Sequence, residues 1–307
     1  MTTTDDRVAV PAPAAPVDLP SPVVGSLSPS RAGDFLTCPL LYRFRTIDRL
    51  PQRPSSAAAR GTLVHAVLER LFDLPAAERT LAAARTFVGP EWERLLAAEP
   101  EVAELFGGPG DGAATGSDLV EWLGSARELL AGYFALEDPT RLEPAEREHY
   151  VETVLASGLR LRGYIDRLDR APTGELRIVD YKTGRAPGET FEARALFQMK
   201  FYALVLWRTT GTVPRELRLL YLGDREMLRY APDEAELRAF ERKLGALWAA
   251  IERATETGDW RPRRSRLCDW CDHQALCPEF GGTPPPLPER VEAALERAGD
   301  LVPAQSG

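Results

Sequence analysis

The run Ile178-Val179-Asp180-Tyr181-Lys182-Thr183-Gly184 reads as a buried strand that ends in a turn. Strand side chains alternate between faces, so Asp180 and Lys182 project together while Tyr181 points away. A carboxylate and an ammonium are thereby fixed side by side at a strand end. By itself an Asp-x-Lys pair is equally well a strand-edge ion pair. The preceding strand, Gly163-Tyr164-Ile165-Asp166-Arg167-Leu168-Asp169, supplies a second carboxylate, Asp166, that a hairpin brings beside Asp180. Two carboxylates so placed repel each other, and a divalent cation between them relieves the repulsion. Asp169 lies nearer the turn and is expected to pair with a neighbouring arginine.

Two further segments offer partners to that centre. In Gly61-Thr62-Leu63-Val64-His65-Ala66-Val67-Leu68-Glu69, His65 and Glu69 are four apart and share one helical face, distinct from the Val64, Val67, Leu68 and Leu71 stripe. A lone histidine in such a place is ordinarily structural. On a later helix Gln198 stands four before Tyr202, so amide and hydroxyl project together, although a half-buried tyrosine is by itself an ordinary core residue.

In chain order these motifs are Gly-Thr-x-x-His, Gly-x-x-Asp-Arg-x-Asp, Asp-Tyr-Lys-Thr-Gly and Gln-x-x-x-Tyr. The series resembles the RecB-like branch of the PD-(D/E)xK nucleases, which includes the nuclease domains of bacterial recombination complexes and the CRISPR adaptation nucleases. The resemblance runs over residues 27–280 and implies a restriction-endonuclease-like α/β core. It also implies His65, Asp166 and Asp180 as metal ligands with the Tyr181 carbonyl as a main-chain ligand, Lys182 as the catalytic lysine, and Gln198 and Tyr202 as supports for the substrate or the site. No proline precedes Asp166, a departure common in this branch. The implied chemistry is phosphodiester hydrolysis assisted by one or two Mg²⁺ or Mn²⁺ ions, with Lys182 orienting water or neutralising developing charge. An imidazole ligand suits Mn²⁺ better than Mg²⁺. The implied substrate is DNA, single-stranded or entered from an end, in repair or recombination; the same site would also support cleavage of RNA.

Four cysteines form a second set: Cys268, Cys271 and Cys277 lie close together, and Cys38 stands some 230 residues earlier. In a cytosolic protein such a set argues for metal before disulfide. Structural zinc usually takes two close pairs, whereas this one-plus-three spacing, with Pro39 and Pro278 following cysteines, leans toward iron-sulfur. Zinc bound by the three clustered cysteines and His273 is the alternative. The resemblance points to a [4Fe-4S] cluster that staples the first helix to the end of the core.

The elements that must position these groups are legible in outline. Ser28 or Ser30 can cap a first helix through Phe35, Leu36, Leu40 and Leu41, limited by Pro39. A second helix follows Gly61. From about Ala76 to about residue 140 the pattern is that of a helical insertion, broken by a glycine-rich loop at 107–116. Segments 150–156, 159–168 and 175–181 read as three antiparallel strands separated by Ser157-Gly158 and Pro172-Thr173-Gly174. A helix over 192–207, a strand over 217–223 and a long helix over 233–257 complete an α/β fold with helices around a mixed sheet. Residues 1–26 read as a disordered tail, and 281–307 as a linker with a short helix over 289–298.

The 307 residues carry a net charge of -8, which opposes non-specific DNA affinity. Arginines nonetheless cluster at 43–53, 160–170 and 261–266, and Arg43, Arg162 and Arg167, with Tyr202, are the residues expected to touch DNA. Only three lysines occur, Lys182, Lys200 and Lys243, and none follows a glycine, so the chain holds no Walker A loop and no sign of an ATP-driven motor. A motor or integrase partner, a helicase or a CRISPR adaptation integrase, is therefore the other way such a chain would be used, as a partner-dependent DNA-binding subunit. No signal-like or membrane-length apolar run is present, which predicts a cytoplasmic address.

Overall fold

The computed structural model describes residues 25–106, 116–186 and 189–288. One mixed sheet of six strands forms the centre: β1 (Gly25–Leu27), β2 (Glu146–Val154), β3 (Leu159–Arg170), β4 (Leu176–Lys182), β5 (Glu216–Tyr221) and β6 (Glu226–Tyr230). The antiparallel β2–β3–β4 meander follows the sequence expectation, turning at Gly158 and Gly174, both with positive φ. β4 pairs with β5 in parallel, and the connection between them carries a long helix.

Among the described residues, seven α-helices clothe the sheet. They are α1 (Pro29–Thr37), α2 (Pro39–Tyr42), α3 (Ser56–Leu71), α4 (Leu81–Ala98), α5 (Gly116–Leu136), α6 (Glu189–Thr210) and α7 (Glu234–Thr257). Each face of the sheet buries its own apolar layer. One packs Ile178, Leu217 and Leu219 against Phe35 of α1, Phe201 and Val205 of α6, and Leu244 and Ile251 of α7. The other packs Val179, Tyr181 and Leu220 against Leu68 of α3, Trp92 of α4 and Leu130 of α5. α4 and α5, from the insertion region, thus complete this face together with α3 rather than forming an appendage.

β3 pairs with three strands, β1, β2 and β4. β2 covers one of its edges from Arg160 to Leu168. On the opposite edge β1 pairs with residues 159–161 and β4 with residues 167–170. Residues 162–166 therefore have no strand partner on that side, and the sheet holds an opening beside Asp166. α6 lies against it: a Cβ on Gly163 would stand 2.7 Å from the Tyr202 ring.

Several boundaries differ from the sequence reading. Ser28 is the cap of α1, its side chain accepting from the Arg31 N–H, and the chain is extended at Cys38 before Pro39 restarts it as α2. α3 begins at Ser56, capped by Ser55, so Gly61 lies inside the helix. β1 draws residues 25 and 26 out of the expected tail by pairing with β3, and β6 was not foreseen because its five residues show no clean alternation. β2 starts at Glu146, four residues before the expected Tyr150. The expected tail over 1–24, most of the glycine-rich loop and the helix over 289–298 lie outside the described residues.

Candidate active site

Asp180 sits at the point where β4 leaves β3 and continues beside β5 alone. It is 2% exposed, and Lys182, two residues on and on the same face, brings Nζ to 2.7 Å from Asp180 Oδ2. Gln198 from α6 spans the pair: its Oε1 accepts from Lys182 Nζ at 2.9 Å and its Nε2 donates to Asp180 Oδ1 at 3.0 Å. The two charges fix which end of the amide faces which. Tyr202 Oη lies 3.5 Å from Gln198 Nε2. Asp180 Oδ2 is buried against the Lys182 ammonium at 2.7 Å, which meets its negative charge.

Burial works against the Lys182 ammonium, but Asp180 and Asp166 outweigh it and hold its pKa above the usual lysine value. The side chain is therefore a fixed cation rather than a proton acceptor.

Asp166 faces Asp180 from β3 and accepts the Tyr181 N–H at 2.8 Å through Oδ2. His65, on α3, places Nε2 2.8 Å from the Tyr181 carbonyl oxygen. A carbonyl only accepts, so Nε2 donates to it, and Nδ1 faces Asp166 Oδ2 at 3.4 Å and Glu148 Oε1 at 4.0 Å. His65, Glu148 and Asp166 present donor atoms that all lie within 4.8 Å of one another, the spacing of ligands around one cation. Burial and the Asp180 charge push the Asp166 carboxyl up to about 6; burial and the Asp166 charge push Glu148 up to about 7. This electrostatic frustration is what a bound divalent cation relieves. The converging His65, Glu148 and Asp166 donors thus fit a divalent cation.

His65, Asp166, Asp180, Tyr181, Lys182, Gln198 and Tyr202 all come together here, as the sequence pattern anticipates. Glu148 was not anticipated. It lies directly across β2–β3 from Asp166, where the ladder lapses for one pair and resumes in the same register, and its φ is +42°. The pleat of β3 breaks at the same place: Ile165 and Leu168 both join the α6–α7 core, while Arg167 turns to the opposite face. No alternation in the sequence signals such a break.

The arginines expected at DNA divide differently. Arg167 is fully buried, bonded to Glu137, Asp169 and the Tyr181 hydroxyl, and cannot reach a phosphate. Its role is to tie the segment after α5 to the back of the sheet, where Arg218 joins the same Glu137 carboxylate. Arg43 is 6% exposed and is held by Asp48 and the Pro285 carbonyl, which likewise removes it from DNA contact. Arg162 is also buried. Tyr202, with Gln198, Tyr164, Phe197 and Lys243, lines a cleft of about 630 Å³ beside the Asp180–Lys182 pair that Gln198 bridges. Asp169 pairs with Arg167 and Arg177, as expected of it.

Beyond the C-terminal end of α1, Cys38, Cys268, Cys271 and Cys277 line one small apolar cavity of about 50 Å³. The Arg263 N–H points at Cys38 Sγ (3.3 Å) and the Ser265 N–H at Cys268 Sγ (3.4 Å), the donors a thiolate ligand attracts. No three of these sulfurs lie within 4.8 Å of one another, whereas a single tetrahedral zinc at ~2.3 Å would hold them about 3.8 Å apart. His273 packs edge-on against Phe44 and is not among the residues lining that cavity.

The sequence pattern of the PD-(D/E)XK nuclease superfamily matches residues 26–278, and the chain belongs to that superfamily, whose members use divalent metals. Among curated proteins it is similar to the Gene 69 proteins of Mycobacterium phage D29 (28% identity over 274 residues) and Mycobacterium phage L5 (24% over 287), each covering 82% of this chain and 96% of the phage protein. Among solved structures, a candidate exonuclease from Eubacterium rectale aligns with a TM-score of 0.48 at 15% identity, over 81% of this chain and 88% of that one. No helix among the described residues is long and apolar enough to cross a membrane.

Proposed function

We propose that this chain is a metal-dependent deoxyribonuclease that hydrolyses single-stranded DNA or DNA from an end. The observation that carries the reading is the meeting of His65 from α3, Asp166 from β3, and Asp180 and Lys182 from β4 at one opening in the sheet. His65, Asp166 and Asp180, with the Tyr181 carbonyl, would hold Mg²⁺ or Mn²⁺, which supplies Lewis acidity to the phosphate and acidifies the attacking water. Lys182, kept charged by Asp180, offers a compact cation to the charge that develops on the phosphoryl oxygens. Gln198 fixes the spacing between the two. Tyr202 is held protonated by burial and can donate to the strand.

The adjoining cleft supports a single strand over a duplex. Tyr164, Phe197 and Tyr202 offer ring faces to unstacked bases, and Lys243 offers a cation to the backbone. The resemblance to RecB-type nucleases supports a role in repair or recombination, with delivery by a helicase or by an adaptation integrase as the alternative setting. The cysteine cavity supports a [4Fe-4S] cluster on Cys38, Cys268, Cys271 and Cys277 that ties α1 to the segment after α7. Anaerobically purified protein should absorb near 400 nm and contain iron and sulfide but no zinc.

Labelled single-stranded DNA with Mn²⁺ tests the activity. Wild-type protein should degrade it, EDTA should stop it, and Lys182→Ala and Asp180→Ala should cleave it at least ~10²-fold more slowly while still binding DNA. Equal inertness of wild type and both variants, with DNA still bound, would make the chain a binding subunit instead. The same assay on RNA of one sequence sets the sugar preference.

A further inference from the structure

The end of β4 adjoins a second depression, a groove of about 360 Å³ lined by Arg60, Ser125, Glu128, Leu222, Gly223 and Arg225. The Leu222 N–H donates to the Lys182 carbonyl at 2.9 Å, and a Cβ on Gly223 would stand 3.7 Å from the Thr183 carbonyl oxygen. The aromatic cleft draws on α1, α6 and α7, helices of one layer; this groove draws on α3 and α5 of the other, and on the turn between β5 and β6. The Asp180–Lys182 pair thus sits between a depression from each layer.

The cations of the groove belong to none of the arginine runs read from the sequence. Arg60, on α3, donates to the neutral Ser125 hydroxyl at 3.2 Å, and its Nε is buried without an acceptor among the described residues. Arg225 is exposed, has no ion-pair partner among the described residues, and takes a φ of +57°, where glycine would be the unstrained choice. Glu128, the acid in the groove wall, is engaged by Arg85 at 3.3 Å. No aromatic ring lines the groove.

Resting on the nuclease reading, we infer that Arg60 and Arg225 bind backbone phosphates of a single strand on one side of the scissile bond, while bases on the other side lie in the aromatic cleft. Two guanidiniums with no carboxylate partner and no stacking surface recognise phosphate rather than base, so the contact is independent of sequence. A strand that engages both depressions is drawn across Lys182.

The probe is fluorescein-labelled oligothymidylate of about 16 nucleotides, titrated with Mn²⁺ into full-length protein carrying Lys182→Ala, so that cleavage is slow while anisotropy is read. Affinity is followed from about 50 to about 200 mM salt, where each phosphate contact on a single strand steepens the fall of log affinity with log salt by about 0.7. Adding Arg60→Ala or Arg225→Gly should weaken binding several-fold and lower that slope by about 0.7 each, and by about 1.4 together. Glycine accepts the positive φ, so Arg225→Gly should keep the parent's melting temperature, and Arg60→Lys should keep the parent's slope. Arg238→Ala, which removes a cation from α7, should leave the slope unchanged. Unchanged affinity and slope in Arg60→Ala and Arg225→Gly would overturn the inference, as would an equal loss in Arg238→Ala. If the Lys182→Ala parent binds no single strand, the single-strand reading itself fails, which separates the two results.

Discussion

Asp180, Lys182 and Gln198 form a closed triangle in which each side chain fixes the next. Removing the ammonium leaves a 2% exposed carboxylate without its cation, so Lys182→Ala should lower the cleavage rate by roughly 10²–10³-fold, measured under single turnover. Lys182→Arg should not rescue it, because a planar guanidinium does not fit between Gln198 Oε1 and Asp180 Oδ2 as a point charge does. The acids carry a pH signature. With Glu148 near 7 and Asp166 near 6, the folded state holds protons that an unfolded chain releases near pH 4. Their contribution to stability is therefore present below about pH 4 and is lost as pH rises to about 7. EDTA-treated protein should melt at a lower temperature at pH 7.5 than Glu148→Gln does, with the gap closing toward pH 4; a gap constant with pH would be the opposite result. Metal binding displaces those protons, so Mn²⁺ affinity should fall as pH drops from 7 to 6.

At the scale of elements, the opening in the β3 edge is the feature on which the site depends. Gly163 lets α6 approach it, and Gly163→Ala should push Tyr202 and Gln198 away, reducing cleavage by about tenfold or more at a stability cost of ~1–3 kcal/mol. A similar approach brings α5 onto the end of β5: a Cβ on Gly132 would stand 1.9 Å from the Leu222 carbonyl oxygen, so Gly132→Ala should lower the melting temperature even with metal present. Much of this layer was legible. Alternation placed Asp180 and Lys182 on one face, helical spacing paired Gln198 with Tyr202, and turn residues marked the β2–β3–β4 meander. Glu148 and β1 were not legible for a shared physical reason. Both depend on pairing with distant residues, Glu148 with Asp166 at a lapse in the ladder and β1 with the start of β3, and neither leaves a local period in the sequence. The burial of Arg167 was hidden in the same way, since its Glu137 partner lies 30 residues away on the insertion.

Across the whole molecule, the chain closes on itself twice. The Arg43 contact with Pro285 and the shared cavity of Cys38 and the 268–277 cysteines bring α1 and α2 against the segment after α7. The proposed cluster would close a loop of this length and remove unfolded-chain entropy, so Cys271→Ser should lower thermal stability and expose residues 260–280 to protease. Cleavage by such a variant should fall through loss of folded protein, with the rate per folded molecule retained. The net charge of -8 leaves DNA affinity to local groups, and the buried positions of Arg43, Arg162 and Arg167 shift that task to the cleft beside Gln198. Lys243→Ala should therefore weaken binding of single-stranded DNA more than it slows the chemical step.

The proposed function requires His65, Asp166, Asp180 and Lys182 to act as one unit. The most direct test is the single-turnover rate of Mn²⁺-dependent cleavage by His65→Ala, Lys182→Ala and the double variant. Groups that act together are not additive, so the double variant should be about as slow as the slower single one. Independent, multiplying losses, or a single variant that cleaves at the wild-type rate, would contradict it.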